Sequence, residues 1–343
     1  MTAVPGGRPL LQVSREEEGL KLARFLERRL GLPGGMIRKW IRTGQTRVNG
    51  KRAGPFSPLC LGDRVRLPPF IPLPEKAEPP EDLAAVLAGA ELCLAACTED
   101  LLVLHKPGGL VTHPGSRHAD SVTSRLAKAL AGQIFLPAPA HRLDRRSSGL
   151  LMAGRTHRAQ ERLHLALATG RGIVKDYLAW AAGIWPEEPS LLTDMLGKRR
   201  DKQGKETMQA LPGGRTLPLW PGTALPPAAE KEARCLVVRA GLLSGPRPAS
   251  LLLIRLLTGK THQIRVQTAS RGFPLLGDAG HGGPAWPLLL LHAWRLRLAP
   301  GLADGKDDGL PFECRALPDW PRPYAPKIAL VEKALARLED LTE

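Results

Sequence analysis

The segment HRLDRRSSGLLMAG, residues 141–154, sets one carboxylate, Asp144, among the guanidiniums of Arg142, Arg145 and Arg146. Cationic neighbours favour an ionised Asp, so this group suits nucleophilic attack or charge pairing and is a poor proton donor. Taken alone, the cluster fits a surface ion pair at a loop-to-strand junction as readily as a catalytic carboxylate. Two lysines in Gly-rich loops, Lys106 in HKPGG and Lys260 in TGKTH, are candidate phosphate contacts. His141, His262 and His292 lack ligand-pair spacing, and the five cysteines (Cys60, Cys93, Cys97, Cys235, Cys314) form no CxxC pair. No metal site is expected from either set, and reduced thiols fit a cytoplasmic location.

The elements that must position these groups belong to a strongly basic chain. A net charge of +16 over 343 residues draws polyanions, with nucleic acid the leading partner. No apolar run approaches the roughly 20 residues of a spanning helix, so no membrane partner is expected. The first residues, MTAVPGGRPLLQVSREEEG, show no basic segment followed by an apolar core, so no secretion signal is expected.

Residues 1–15 read as a tail and 16–69 as a first compact unit. Leu22, Phe25, Leu26 and Leu30 recur at helical spacing up to Gly31, and Met36, Ile37, Trp40 and Ile41 mark a second helix closed by Gly44. Val48-Asn49-Gly50-Lys51 reads as a hairpin, and Val65 and Leu67 alternate with Arg64 and Arg66 in a strand. Arg38, Lys39, Arg42, Lys51 and Arg52 give this unit a basic face without matching acids, either an RNA contact or a solvated surface. The pattern FLERRLGLPGGMIRKWIRTGQTRVNGKRA followed by LGDRVRL resembles the alpha-L RNA-binding module of the S-four type. That resemblance implies that a helix pair and the VNG hairpin grip folded RNA.

Residues 70–90, rich in Pro, Glu and Ala, read as a linker with a helical turn near Glu81 to Leu87. A larger domain over 91–325 follows. It starts with the apolar strand Leu101 to Leu104; Thr156 then caps a helix running to Ala168, which Gly170 ends. Strands are predicted over Ile173 to Trp180 and Leu251 to Leu257, with Thr261 capping a helix to Ser270. Trp185 to Glu230 reads mostly as an extended surface loop. Val331, Leu335 and Leu338 outline a C-terminal helix within 326–343.

Five segments in order, HKPGGLVTHPG (105–115), HRLDRRSSGLLM (141–152), KDYLAWAAG (175–183), TGKTHQIRVQTASRGFPLLGDAGHGG (258–283) and LLLHAWRLRL (289–298), resemble the RluA-type pseudouridine synthases. The resemblance implies an α+β catalytic fold on a mixed, largely antiparallel central sheet that converts uridine in folded RNA to pseudouridine without a cofactor. It implies that Asp144 attacks the nucleoside, that Tyr177 stacks on the uracil or serves as a base, and that Arg265 pairs with the carboxylate. Arg142 corresponds to a residue holding the place of the flipped-out base, and His141, Leu291, Lys106 and Lys260 fall among substrate contacts. The chain departs from the family pattern at Arg146 (usually an acid), Ser147 (usually Thr), Gln267 (usually His) and His281 (usually aromatic).

The expected protein is therefore a cytoplasmic, monomeric enzyme acting on ribosomal RNA of the large subunit. Alternatives are a synthase acting on transfer RNA and a non-catalytic ribosome-assembly factor on the same scaffold. A glycoside hydrolase would need a second catalytic acid, and no motif offers one.

Overall fold

The computed structural model describes residues 9–69, 71, 80–115, 118–133, 135–200, 206–222, 224–229, 231–305 and 309–342. Its first unit combines strands β1 (Leu10–Gln12), β2 (Arg47–Val48) and β3 (Arg64–Arg66) with helices α1 (Leu22–Leu30) and α2 (Gly34–Arg42). Leu22, Phe25, Leu26, Ile37, Trp40 and Ile41 form its core, as their spacing predicts, but Met36 points to solvent. Gly31 ends α1 with φ of 63°, a left-handed conformation that costs glycine little. The sheet runs β1-β3-β2, so the segment read as a tail over 1–15 contributes a strand. Its single buried side chain on β1, Leu11, sits opposite Val65, and a three-residue alternation is too short to register as a sequence pattern.

This unit is docked on the second. Arg15 bridges Glu99 at 2.8 Å and Asp100 at 3.1 Å, Arg158 bridges Glu18 at 2.8 Å, and the Arg28 guanidinium lies over the Phe135 ring. Of the expected linker, residues 70 and 72–79 lie outside the described residues. Its last part is α3 (Leu83–Gly89), a full helix capped by Asp82, with Leu87 fully buried in the core of the larger unit.

The larger unit carries strands β4 (Cys93–Cys97), β5 (Leu101–Lys106), β6 (Ala138–Pro139), β7 (Ser148–Gly154), β8 (Ile173–Ala182), β9 (Ser190–Asp194), β10 (Leu196–Arg200), β11 (Glu206–Ala210), β12 (Arg215–Pro218), β13 (Ala233–Leu243), β14 (Ala249–Leu256), β15 (Leu291–Leu298) and β16 (Phe312–Arg315). Its helices are α4 (Val122–Ala129), α5 (His157–Thr169), α6 (Gln263–Ala269) and α7 (Ile328–Glu339). The central sheet runs β12-β9-β13-β14-β8-β15-β7-β5-β4, with β16 and β6 alongside. Only the β15–β7 pairing is parallel among its described pairings, so the sheet is mixed and largely antiparallel as expected.

Period-two alternation sorts side chains between its faces. On β8, Tyr177, Ala179 and Ala181 join one core, while Leu178 and Trp180 join another closed by Val331, Ala334, Leu335 and Leu338 of α7. Asp176, on the α7 side, is fully buried and accepts from Arg255 (2.8 and 3.0 Å) and Arg295 (3.0 Å). The region read as an extended loop over 185–230 instead holds β9 to β12, and β9 is wholly buried. Its prolines and glycines mark the turns between short strands, a spacing that looks like loop when pairing partners are distant. Among the described residues no helix is long and apolar enough to cross a membrane.

Candidate active site

Asp144 lies in the loop entering β7, and close backbone packing fixes that loop. Gly149 has φ of 113°, and a Cβ there would collide with the backbone of Ala293 on β15. Glycine is therefore required where the parallel pair forms. Ser147 N–H donates to the Asp144 carbonyl at 3.1 Å, and Thr112 Oγ1 both accepts from Leu143 N–H and donates to its carbonyl, each at 3.1 Å.

Lys106 corrects an expectation. It is fully buried, and its ammonium donates to the carbonyls of Pro107 (2.8 Å), Leu110 (2.8 Å) and Arg145 (3.4 Å), so it braces two loops and meets no phosphate. Burial lowers its pKa to about 8, with the Asp144 carboxylate working in the opposite direction.

The three arginines beside Asp144 in sequence form no described ion pair with it. The partner comes from α6: Arg265 Nη1 donates to Asp144 Oδ2 at 3.0 Å, while Nε and Nη2 grip Asp278 at 2.8 and 2.7 Å. Burial opposes the Arg265 charge, but the bonds to Asp278 and Asp144 outweigh it and raise its pKa. His262 Nε2 also faces Oδ2, at 3.8 Å. Among the described residues Oδ1 accepts no hydrogen bond, so one oxygen is held and the other is left open.

Helix α6 is set by the turn before it. Thr261 is not its cap: His262 takes the left-handed conformation (φ 54°), and the Gln263 carboxamide accepts from Lys260 N–H (3.0 Å) and Thr258 Oγ1 (2.9 Å) and donates to the Arg234 carbonyl (3.0 Å). Gln267, one of the departures from the family pattern, is fully buried and donates to Asp194 at 2.7 Å and to the Ala233 carbonyl at 3.1 Å. It ties α6 to β9 and β13.

Asp144, Tyr177, Arg265, Arg142, His141, Lys260 and Leu291 line one cavity of about 340 Å³, together with Lys175. A second hollow of about 500 Å³, bounded by His113, Arg145 and Arg146, shares Arg142, Asp144, His262 and Arg265 with the first. Tyr177 is 7% exposed. Burial, reinforced by the Asp144 charge, raises its pKa, so it remains a phenol, and a role as base gains no support. His141 Nε2 accepts from Met152 N–H at 3.1 Å, and burial first, then the nearby Lys175 charge, brings its pKa to about 3. It is a neutral group here. In the first unit, Arg38, Lys39, Arg42 and Arg52 line one groove, while Lys51 lies on the hairpin outside it.

Asp278, Lys175 and the pairing of His262 with His281 escape sequence reasoning. Asp278 stands in the quoted GDAG and Lys175 opens KDY, but nothing local to either tells that the first meets the Arg265 guanidinium and the second a cavity supplied by other elements.

Residues 100–270 match the RNA pseudouridylate synthase family. The chain is 31% identical over 310 residues to ribosomal large subunit pseudouridine synthase C of Salmonella typhi and to that of Escherichia coli strain K12, covering 86% of this chain and 90% of each relative. The chain belongs to the RNA pseudouridylate synthase family. A solved human structure, RNA pseudouridylate synthase domain containing 1, shares the fold with a TM-score of 0.52 at 23% identity, covering 76% of this chain and 98% of that one. The segments that resemble RluA-type enzymes thus fall in a pseudouridine synthase, an isomerase whose partner is RNA. Such a synthase must break the bond between N1 of uracil and C1′ of ribose, turn the base, and join C5 to C1′. Atoms balance without a redox partner, because the C5 hydrogen leaves as a proton.

Proposed function

We propose that this synthase modifies uridine in large-subunit ribosomal RNA and that Asp144 is its nucleophile. The observation that carries the catalytic assignment is the arrangement around one carboxylate: Arg265, locked by Asp278, holds Oδ2 at 3.0 Å, Oδ1 accepts no hydrogen bond among the described residues, and Asp144 lines the cavity that also holds Tyr177. In this reading Oδ1 attacks the nucleoside as the N1 bond breaks and the electron pair passes to the uracil. The Tyr177 ring offers a stacking face, worth about 1 to 3 kcal/mol for a base. The freed uracil turns on that face, C5 bonds C1′ with expulsion of the carboxylate, the C5 proton passes to the released Asp144 and then to water, and N1 takes up a proton from water, so that the product is an isomer of the substrate. Preorganised charge that needs no rearrangement during the reaction is the main protein contribution.

A uridine in structured RNA must leave its stack first, at a cost of a few kcal/mol. In this reading Arg142, exposed and lining both hollows, takes the vacated position, and Lys260, in the lining of the first, meets a phosphate. The first unit, with its groove of Arg38, Lys39, Arg42 and Arg52, serves as an alpha-L RNA-binding module that supplies offsetting affinity. Residues 10–69 then form the binding domain and about 80–325 the catalytic domain, which α7 (Ile328–Glu339) closes, in a monomer of the cytoplasm. The relatives named for the large ribosomal subunit support the ribosomal target over transfer RNA. A glycoside hydrolase is disfavoured: the second carboxylate, Asp278, is 1% exposed and both its oxygens are bound to Arg265.

Pseudouridine mapping of total RNA from cells lacking the protein tests the target. Large-subunit RNA should lose one or more pseudouridines that the wild-type chain restores. Losses confined to transfer RNA would overturn the ribosomal assignment.

A further inference from the structure

We propose that His281 is a positioning residue that, by donating from Nε2 to His262 Nδ1, turns the His262 Nε2–H toward Asp144 and steadies the held carboxylate oxygen. This rests on Asp144 being the nucleophile. His262 Nδ1 and His281 Nε2 are 3.2 Å apart, and the rings meet edge to face at 5.4 Å and 87°. Only one tautomer of His262 suits both neighbours. A bare ring nitrogen 3.8 Å from the ionised Asp144 Oδ2 would be repelled, so Nε2 carries the proton and Nδ1 must accept. His281 is then the donor.

Two relays converge on one oxygen: Asp278 through Arg265, and His281 through His262. Both begin in the same turn. Asp278 precedes the 3-10 turn Ala279–His281, and its carbonyl accepts from His281 N–H (3.1 Å) and Gly283 N–H (2.8 Å). Gly277, at φ of 82°, admits no Cβ against the Leu288 carbonyl, which fixes the turn's entry. The family's usual aromatic at position 281 lacks the ring N–H that His281 presents in this chain.

The charged groups facing the pair are Asp144, Arg265, Asp278 and, for His262, Arg142. Burial lowers the pKa of both rings; the carboxylates oppose this and Arg265 assists it, which keeps the pair neutral at pH 7. Acid that charges His262 replaces the acceptor the bridge needs with a second N–H, and kcat falls with it, whereas a charge on His281 leaves its Nε2–H donor in place.

The test combines nitrogen-15 spectra of histidine-labelled protein, with His262 assigned by its loss in His262→Asn, and tritium release from RNA labelled at uracil C5. The wild-type spectrum should show His262 protonated at Nε2. His281→Phe should lower kcat about five- to tenfold, the worth of one neutral hydrogen bond, with KM for RNA unchanged. His281→Gln, whose amide can donate from nearly the same place, should restore most of the loss and move the acid limb of the kcat profile. A wild-type His262 protonated at Nδ1, a His281→Phe enzyme with wild-type kcat, or a Gln variant no better than Phe would each overturn the proposal. Failure of the wild-type protein to release tritium would instead overturn the function proposed for the site, whatever the tautomer.

Discussion

Asp278→Asn should cripple turnover without touching RNA affinity. Asp278 is 1% exposed and accepts two charge-assisted bonds, at 2.8 and 2.7 Å, from the guanidinium that holds Asp144. Asparagine keeps one acceptor oxygen but turns an amide N–H₂ against the guanidinium and removes the opposing charge. A charged hydrogen bond contributes about 1.5 to 3 kcal/mol, so loss of one with misorientation of Arg265 amounts to roughly 2 to 3 kcal/mol. That corresponds to a decrease in kcat of about 30- to 150-fold. KM for RNA should stay put, because Asp278 lies beneath Arg265 and away from the cavity lining. The assay is multiple-turnover tritium release, with thermal melts to show that the variant is folded. Combination with Arg265→Lys should be strongly non-additive, since both changes break one relay. A folded Asp278→Asn enzyme within about threefold of wild-type kcat, or additive effects in the double variant, would mean that Asp278 does not act on Asp144 through Arg265.

Tyr177→Phe should retain most activity, since the ring is what the base meets, whereas Tyr177→Ala should lose about 5- to 150-fold, the worth of one stacking contact; equal losses in kcat would sink the stacking role. Lys106→Met should lower the melting temperature by leaving loop carbonyls unpaired, at about 2 kcal/mol, while leaving the salt dependence of RNA binding unchanged; a shallower salt slope would mark it as a phosphate contact after all. His292 is fully buried and bonded to Ser148 Oγ and the Ala316 carbonyl, with burial and then His105 lowering its pKa to about 3. The unfolded state therefore binds the extra proton below about pH 6.5, and the stabilising effect of neutral burial is lost progressively as pH falls from there toward 3. Urea unfolding at pH 7 and pH 5 should differ by about 2 kcal/mol from this residue, a share that should vanish in His292→Gln; an identical pH slope in the variant would contradict it.

What could be read from the chain follows the range of the forces involved. Helices α1, α5 and α7 are visible because their apolar spacing is local, as are the Gly31 end of α1 and the Thr156 and Gly170 boundaries of α5, where Thr156 accepts from Ala159 N–H. β9 and β12 are not visible, because a short strand earns its stability from partners far along the chain, here β13 for β9. The same divide runs through the site. Asp144, Tyr177 and Arg265 come from the resemblance of whole motifs, and the structure brings them to one cavity. The arginines next to Asp144 mislead, since adjacency in sequence sets charge density but not side-chain direction. Arg146 instead reaches the carbonyls of Trp286 and Pro287, each at 3.4 Å. Lys106 misleads similarly: a Gly-rich loop suggests phosphate, yet its lysine is turned inward to satisfy carbonyls that the sheet cannot.

The nucleophile is tested most directly by a single-turnover reaction of Asp144→Asn with excess enzyme over RNA labelled with tritium at uracil C5. Asparagine keeps the shape and an acceptor for Arg265, but its neutral amide lacks the charged oxygen that attacks the nucleoside. Wild-type enzyme should release one tritium per target uridine and the variant none, with RNA binding intact. Release by Asp144→Asn at a rate near that of the wild type would mean that Asp144 is not the nucleophile.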